Sequence, residues 1–104
     1  MTGRNEGAVD LYKRALEIDP DYPLAHNQLG LTYLELGDEI SAVRHIKKAV
    51  ELEPLSVIFR LSLASVYERT GDKKGALKEY LEIKKISPKN EAALKKLEEL
   101  DIPR

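Results

Sequence analysis

A period of 34 residues constrains this chain more than any other feature. Pro20, Pro54 and Pro88 stand 34 residues apart, and the segments before them, 15–19, 49–53 and 83–87, align without a gap. Gly3, Gly37 and Gly71 fall in the same register, as do Ala8, Ala42 and Ala76, then Tyr12, Ile46 and Tyr80, then Leu29, Leu63 and Leu97, and Tyr33 with Tyr67. A fixed repeat of this length is one supersecondary unit copied along the chain. Such a unit cannot bury its apolar face alone and does so by stacking on its neighbours.

Each period reads as two helices. Pro23 suits a first helical turn, where its fixed φ is an advantage and its missing N–H is not needed, so Asp21 or Tyr22 is the cap. Apolar residues then recur at helical spacing through Leu36, and Gly37 ends the helix by accepting a left-handed backbone. Asp38 caps the next helix, which runs to about Glu53 before Pro54. The following period repeats this pattern, with a helix over 57–70, a turn at Gly71 and Asp72, and a helix over 73–87. Asn90 with Glu91 opens a last helix, running to Asp101, that Pro103 closes. The expectation is an all-α chain of six helices with no strands.

The pattern resembles the tetratricopeptide repeat (TPR), a 34-residue helix–turn–helix unit with a Trp-x-x-Leu-Gly-x-x-Tyr, Ala-x-x-x-Phe, Ala and Pro signature. One period supplies Leu29, Gly30, Tyr33, Ala42, Ile46, Ala49 and Pro54, and the next supplies Leu63, Ala64, Tyr67, Ala76, Tyr80 and Pro88. Departures are His26 and Arg60 at the Trp position and Ile83 at a small one. The resemblance covers nearly the whole chain and implies hairpins stacked as a right-handed superhelix. Independently of the family, Gly30 and Ala64 facing Ala42 and Ala76 would let paired helices approach closely, and Ala42→Leu would overpack that contact.

The period divides the chain into residues 1–22, the second helix of an incomplete first repeat, then repeats over 23–56 and 57–90, and a C-terminal capping helix over 91–104. Thr2 and Gly3 align with the turn at Thr70 and Gly71, so the first helix is expected from Arg4 to Asp19. Its Ala8, Leu11, Tyr12 and Ala15 are ready to pack against something. The chain reads as a fragment of a longer array, with pairing of the exposed seam against another copy as the alternative. In the last helix, Glu98 at the small position and Asp101 at the Tyr position suit a solvated cap.

Composition removes several classes of chemistry. With no Cys among 104 residues there is no disulfide framework, thiolate nucleophile or Cys-ligated metal. The 17 basic and 18 acidic side chains leave a net charge of −1, which argues against nucleic-acid or acidic-membrane binding. No apolar run is long enough for a transmembrane helix and the polar start is no signal peptide, so a cytoplasmic setting is expected. His26 reads as a satisfied, partly buried imidazole and His45 as surface decoration, and their spacing is not that of metal ligands. Residues 71–75 look superficially like a phosphate loop but lack its strand and Gly-Lys-Ser/Thr ending. The lysine pairs at 47–48, 73–74, 84–85 and 95–96 are interleaved with Glu and read as solvated faces, with RNA binding a lesser alternative. No catalytic residue, cofactor or metal is assigned, and the chain is not expected to be an enzyme.

Function is sought on the face not consumed by stacking. That stripe carries Leu24, Asn27, Gln28, Leu31 and Leu34 in one repeat, Ile58, Leu61, Ser65 and Arg69 in the next, and Lys95 and Lys96 in the last helix. The resemblance implies that it lines a concave groove receiving peptide segments of partner proteins. Leu31, Leu34 and Leu61 would be apolar anchors, and Leu24 and Ile58 are equally balanced between groove and core. Asn27 and Gln28 would bond the partner's backbone, and Arg69, Lys95 and Lys96 would steer its acidic groups. The subclass that clamps a chaperone's C-terminal carboxylate is not expected, because Leu31 and Ser65 stand where Asn belongs and Ile58 and Ser62 where basic residues belong. The expected function is a protein-interaction scaffold for a partner of unknown identity, with self-assembly as the alternative.

Overall fold

The computed structural model describes the backbone of residues 2–100 and the side chains of residues 5–100. Among the described residues there are six helices and no strand: α1 (Thr2–Ile18), α2 (Pro23–Glu35), α3 (Glu39–Leu52), α4 (Val57–Thr70), α5 (Lys73–Ile86) and α6 (Glu91–Glu99). They form two compact units, Met1–Pro54 and Leu55–Arg104. In the first unit α2 packs against both α1 and α3, and in the second α5 packs against both α4 and α6.

Within each unit a Gly-Asp pair makes the turn between first and second helix. Gly37 and Gly71 adopt φ of +86° and +84°, which costs a residue with a Cβ about 1–2 kcal/mol. The next residue then does two jobs. The backbone N–H groups of Asp38 and Asp72 donate to the carbonyls of Tyr33 and Tyr67 at 2.9 and 2.8 Å, closing the helix behind. Their carboxylates accept from the N–H groups of Ser41 and Gly75 at 3.1 and 2.8 Å, opening the helix ahead. Hydrogen bonding by the Ser41 side chain first, and then by its backbone N–H, holds the Asp38 carboxyl below its ordinary pKa. Ser56 and Asn90 cap α4 and α6 in the same way, whereas Tyr22 before α2 makes no side-chain cap and leaves the start to Pro23.

Two boundaries differ from the expectation. Helix α1 begins at Thr2, so Thr2 and Gly3 are helical and not a turn. The residue in phase with Asp38 and Asp72 is Arg4, which has no oxygen with which to cap a new helix, so the helix does not restart there. Helix α6 ends at Glu99, and Asp101 and Pro103 lie outside the described residues.

The core follows the period. In the first unit Leu29, Ala42, Ile46 and Ala49 are almost completely buried. A Cβ on Gly30 would stand 2.5 Å from Ile46 Cγ1 and 2.9 Å from the Ala42 carbonyl oxygen, so only glycine permits this approach of α2 to α3. In the second unit Ala64, Ala76, Tyr80, Ile83, Ala93 and Leu97 form one cluster. Burying a side chain such as Leu97 contributes about 1.5–3 kcal/mol. The same positions on α1 are less covered: Ala8, Tyr12 and Ala15 are half-buried where Ala42, Ile46 and Ala49 are at 0%. No helix among the described residues is long and apolar enough to cross a membrane.

Candidate partner-binding surface

The first helix of each repeat, α2 or α4, sorts its predicted stripe into three depths. Leu24 and Ile58, one period apart at the second position of α2 and α4, are 48% and 69% exposed. Their neighbours Ala25 and Phe59 turn inward and are buried. Gln28 and Leu31 on α2 are half-buried, as is Leu61 on α4, which packs against the core cluster. Ser65 and Arg69 are exposed.

Leu34 and Asn27 are placed differently from the expectation, at 7% and 2% exposure. Leu34 belongs to the core of the first unit and offers a partner almost no surface. Asn27 donates from Nδ2 to Gln28 Oε1 at 3.2 Å, and its Oδ1 is buried without a partner. Leu24 and Gln28 share a groove of about 460 Å³ with Leu11, Tyr12 and Tyr22, at the junction of α1 and α2. Leu11 and Tyr22, 63% and 42% exposed, were not among the predicted surface residues.

Of the two lysines predicted on α6, Lys95 is exposed and Lys96 is engaged. Lys96 Nζ lies 3.2 Å from Glu68 Oε1 and 3.6 Å from Glu99 Oε1. Tyr80 donates its hydroxyl to the other oxygen of Glu68. Glu68 therefore joins α4, α5 and α6. It holds the Lys96 pKa above its ordinary value, and burial together with the Glu68 carboxylate pushes the Tyr80 phenol well above its own.

The family-atypical residues on the packing face form a second pattern. His26 donates from Nε2–H to the Pro20 carbonyl, 2.8 Å away; a carbonyl oxygen only accepts, so the proton sits on Nε2. His26 Nδ1 then has a lone pair, and it faces His45 Nδ1 at 3.3 Å. The ring planes are 24° apart and the centroids 5.5 Å, a separation that exceeds the nitrogen–nitrogen distance by about two ring radii, so the nitrogens meet edge to edge. His45 thus donates to His26 and lies beside Tyr33, at 5.7 Å between centroids. It is half-buried, not the surface decoration expected from its place among Arg44, Lys47 and Lys48. One period later the same two positions are Arg60 and Glu79, and Arg60 Nη1 meets Glu79 Oε1 at 2.8 Å with the carboxylate side chain 7% exposed. The 34-residue equivalence of 26 with 60 and of 45 with 79 was the signal for these cross-helix pairs. Among the described residues no group of three or more His, Cys, Asp or Glu is placed to hold a metal ion.

Comparison with known proteins places this architecture. A family model described as tetratricopeptide repeat matches residues 27–91, and one described as TPR repeat matches residues 2–37. A protein O-mannosyl-transferase of Caenorhabditis elegans is 31% identical over 93 residues, 89% of this chain and 14% of that protein. The chain spans only 14% to 19% of the length of the curated relatives it matches. Among solved structures, a thermophilic TPR protein of Thermus thermophilus superposes with a TM-score of 0.86 at 30% identity, over 93% of this chain and 50% of that one. The first TPR of Spaghetti bound to an HSP90 peptide superposes with a TM-score of 0.82 at 20% identity, over 95% of this chain and 80% of that one.

Proposed function

The chain belongs to the tetratricopeptide repeat family, and from that premise we propose that it is a protein-binding module whose first helices receive a segment of a partner protein. The observation that carries this reading is the pair Leu24 and Ile58, large aliphatic side chains 48% and 69% exposed at the same position of successive repeats. Scattered apolar residues on a surface need no explanation, but two in phase with the repeat do. Capping each by a partner side chain contributes on the order of 1 kcal/mol, half of full burial or less. Leu31 and Leu61 flank them as partly covered contacts. Gln28, half-buried, supplies hydrogen bonds to the segment's backbone, a role that the buried Asn27 does not share. Arg69 and Lys95 draw acidic groups toward α4 and α6, a role that Lys96 gives up to Glu68.

The HSP90 peptide held by one structural neighbour is that protein's ligand. In this chain Ile58, Ser62 and Ser65 offer neither basic nor amide groups on the stripe of α4, so the segment proposed is anchored by apolar side chains. The test is an array of immobilised peptides of diverse sequence, probed with the wild-type chain and with Leu24→Glu, Ile58→Glu and the double variant. The reading expects sequence-selective spots that fade in each single variant and vanish in the double one while circular dichroism stays native. Undiminished spots with the double variant would contradict it.

A second reading, self-assembly, is favoured by Leu11, 63% exposed on the half-covered face of α1. It expects a concentration-dependent dimer by sedimentation that Leu11→Glu dissociates.

A further inference from the structure

We propose that the outer face of α5 is a separate docking surface, which takes an acidic amphipathic segment of another protein. A groove of about 670 Å³ runs along this helix with Leu77 and Leu81 as its floor and Lys74, Lys78, Lys84 and Lys85 along its sides. These six positions fall at helical spacing, so the groove is a single face of one element. One acidic residue, Glu82, lines it, and its Oε1 is 3.4 Å from Lys85 Nζ.

Charge complementarity decides the occupant. The whole chain is balanced, with 17 basic and 18 acidic side chains. Yet this groove and its counterpart one period earlier on α3, where Ile40 and Val43 sit with Arg44, Lys47 and Lys48, together hold seven basic side chains and two acidic ones. A mixture of apolar and basic side chains therefore marks this face in each unit, with Val43 and Leu77, and Arg44 and Lys78, matched in phase. Lysine stems commonly lie along half-buried aliphatic carbon such as Leu77 and Leu81, but the excess of cations over carboxylates on this face departs from the balance of the whole chain. A ligand with carboxylates flanking apolar side chains matches that excess: its leucine-like anchors cover Leu77 and Leu81, and its carboxylates meet the ammonium groups on both sides. The floor is aliphatic and offers no aromatic platform, which favours such a segment over the bases of a single-stranded nucleic acid.

The proposal does not depend on the first-helix reading, because the two surfaces lie on different helices. It is tested by fluorescence anisotropy with a dye-labelled synthetic helical peptide carrying leucines at i, i+4 and i+7 with glutamates between them. Leu81 packs partly on the core, so Leu81→Glu endangers folding; the informative variant is Lys78→Glu/Lys85→Glu, both exposed positions. The peptide is expected to bind the wild-type chain and Leu24→Glu/Ile58→Glu alike, and to lose at least about tenfold in affinity with Lys78→Glu/Lys85→Glu. A peptide with serines for the leucines should lose as much. No binding, equal affinity for the natively folded lysine variant, or undiminished binding of the serine peptide would overturn the proposal. Displacement of the peptide by phosphatidylserine vesicles or by poly-uridine RNA at lower concentration than by unlabelled peptide would overturn it in favour of a membrane or a nucleic acid.

Discussion

At the scale of single residues, the position that the family fills with Trp is filled here by one end of a polar pair in both repeats, and the pair that contains His45 responds to acid. His45 is held below its ordinary pKa of 6.5 first by burial, then by the charges of Arg44, His26 and Lys13. The unfolded chain therefore binds more protons than the folded one just below pH 6.5, so this group's contribution to stability is lost as pH falls through that window. The denaturation midpoint is expected to fall between about pH 7.5 and about pH 5.5, and His45→Gln should flatten that slope. For Arg60 and Glu79 the expected effect is mutational. Arg60→Ala strands a carboxylate that is 7% exposed and costs about 3–5 kcal/mol in urea denaturation. Arg60→Leu/Glu79→Leu recovers most of it, because no buried charge is left behind. The sequence alone marked His26 and Arg60 as atypical but not their partners, since a helical wheel places His45 and Glu79 among lysines and says nothing of what crosses from the neighbouring helix.

At the scale of elements, what was legible was local chemistry. Pro23, the Gly-Asp turns, Ser56 and Asn90 act on residues at most a few positions away, so the bounds of α2 to α5 follow from the chain itself. Asp72→Ala should cost about 0.5–2 kcal/mol by removing the oxygen that Gly75 N–H needs at 2.8 Å. The start of α1 was misread because phase was taken as structure: the glycine of the turn is repeated there but the capping aspartate is not. Close packing of first on second helix has its own test. Gly30→Ala puts a carbon 2.5 Å from Ile46 Cγ1 and 2.9 Å from backbone oxygen, and the shift this forces should cost about 1–3 kcal/mol by thermal or urea denaturation. Gly7, with no atom within 4 Å of its would-be Cβ, should accept alanine with a small gain in helix stability, on the order of 0.5–1 kcal/mol.

At the scale of the whole chain, the period told more about fold than about surface. A 34-residue register specifies which side chains are equivalent, and hence the all-α architecture, but how deeply an equivalent position lies depends on which helices cover it. Leu24, Leu31 and Leu34 share a stripe of α2 in sequence, yet they are exposed, half-buried and buried in turn. The inversion is instructive: Leu24 and Ile58, read as evenly balanced between core and surface, are the exposed pair, while Leu34 is core. The central claim, that the first helices carry partner binding, is tested most directly by methyl nuclear magnetic resonance. The titrant is the tightest peptide from the array whose binding survives Lys78→Glu/Lys85→Glu. The account predicts that the methyl signals of Leu24, Leu31 and Ile58 shift with the peptide while those of Leu11, Val43 and Leu77 stay in place. Shifts confined to Leu11 on α1, or to the outer faces of α3 and α5, would contradict it.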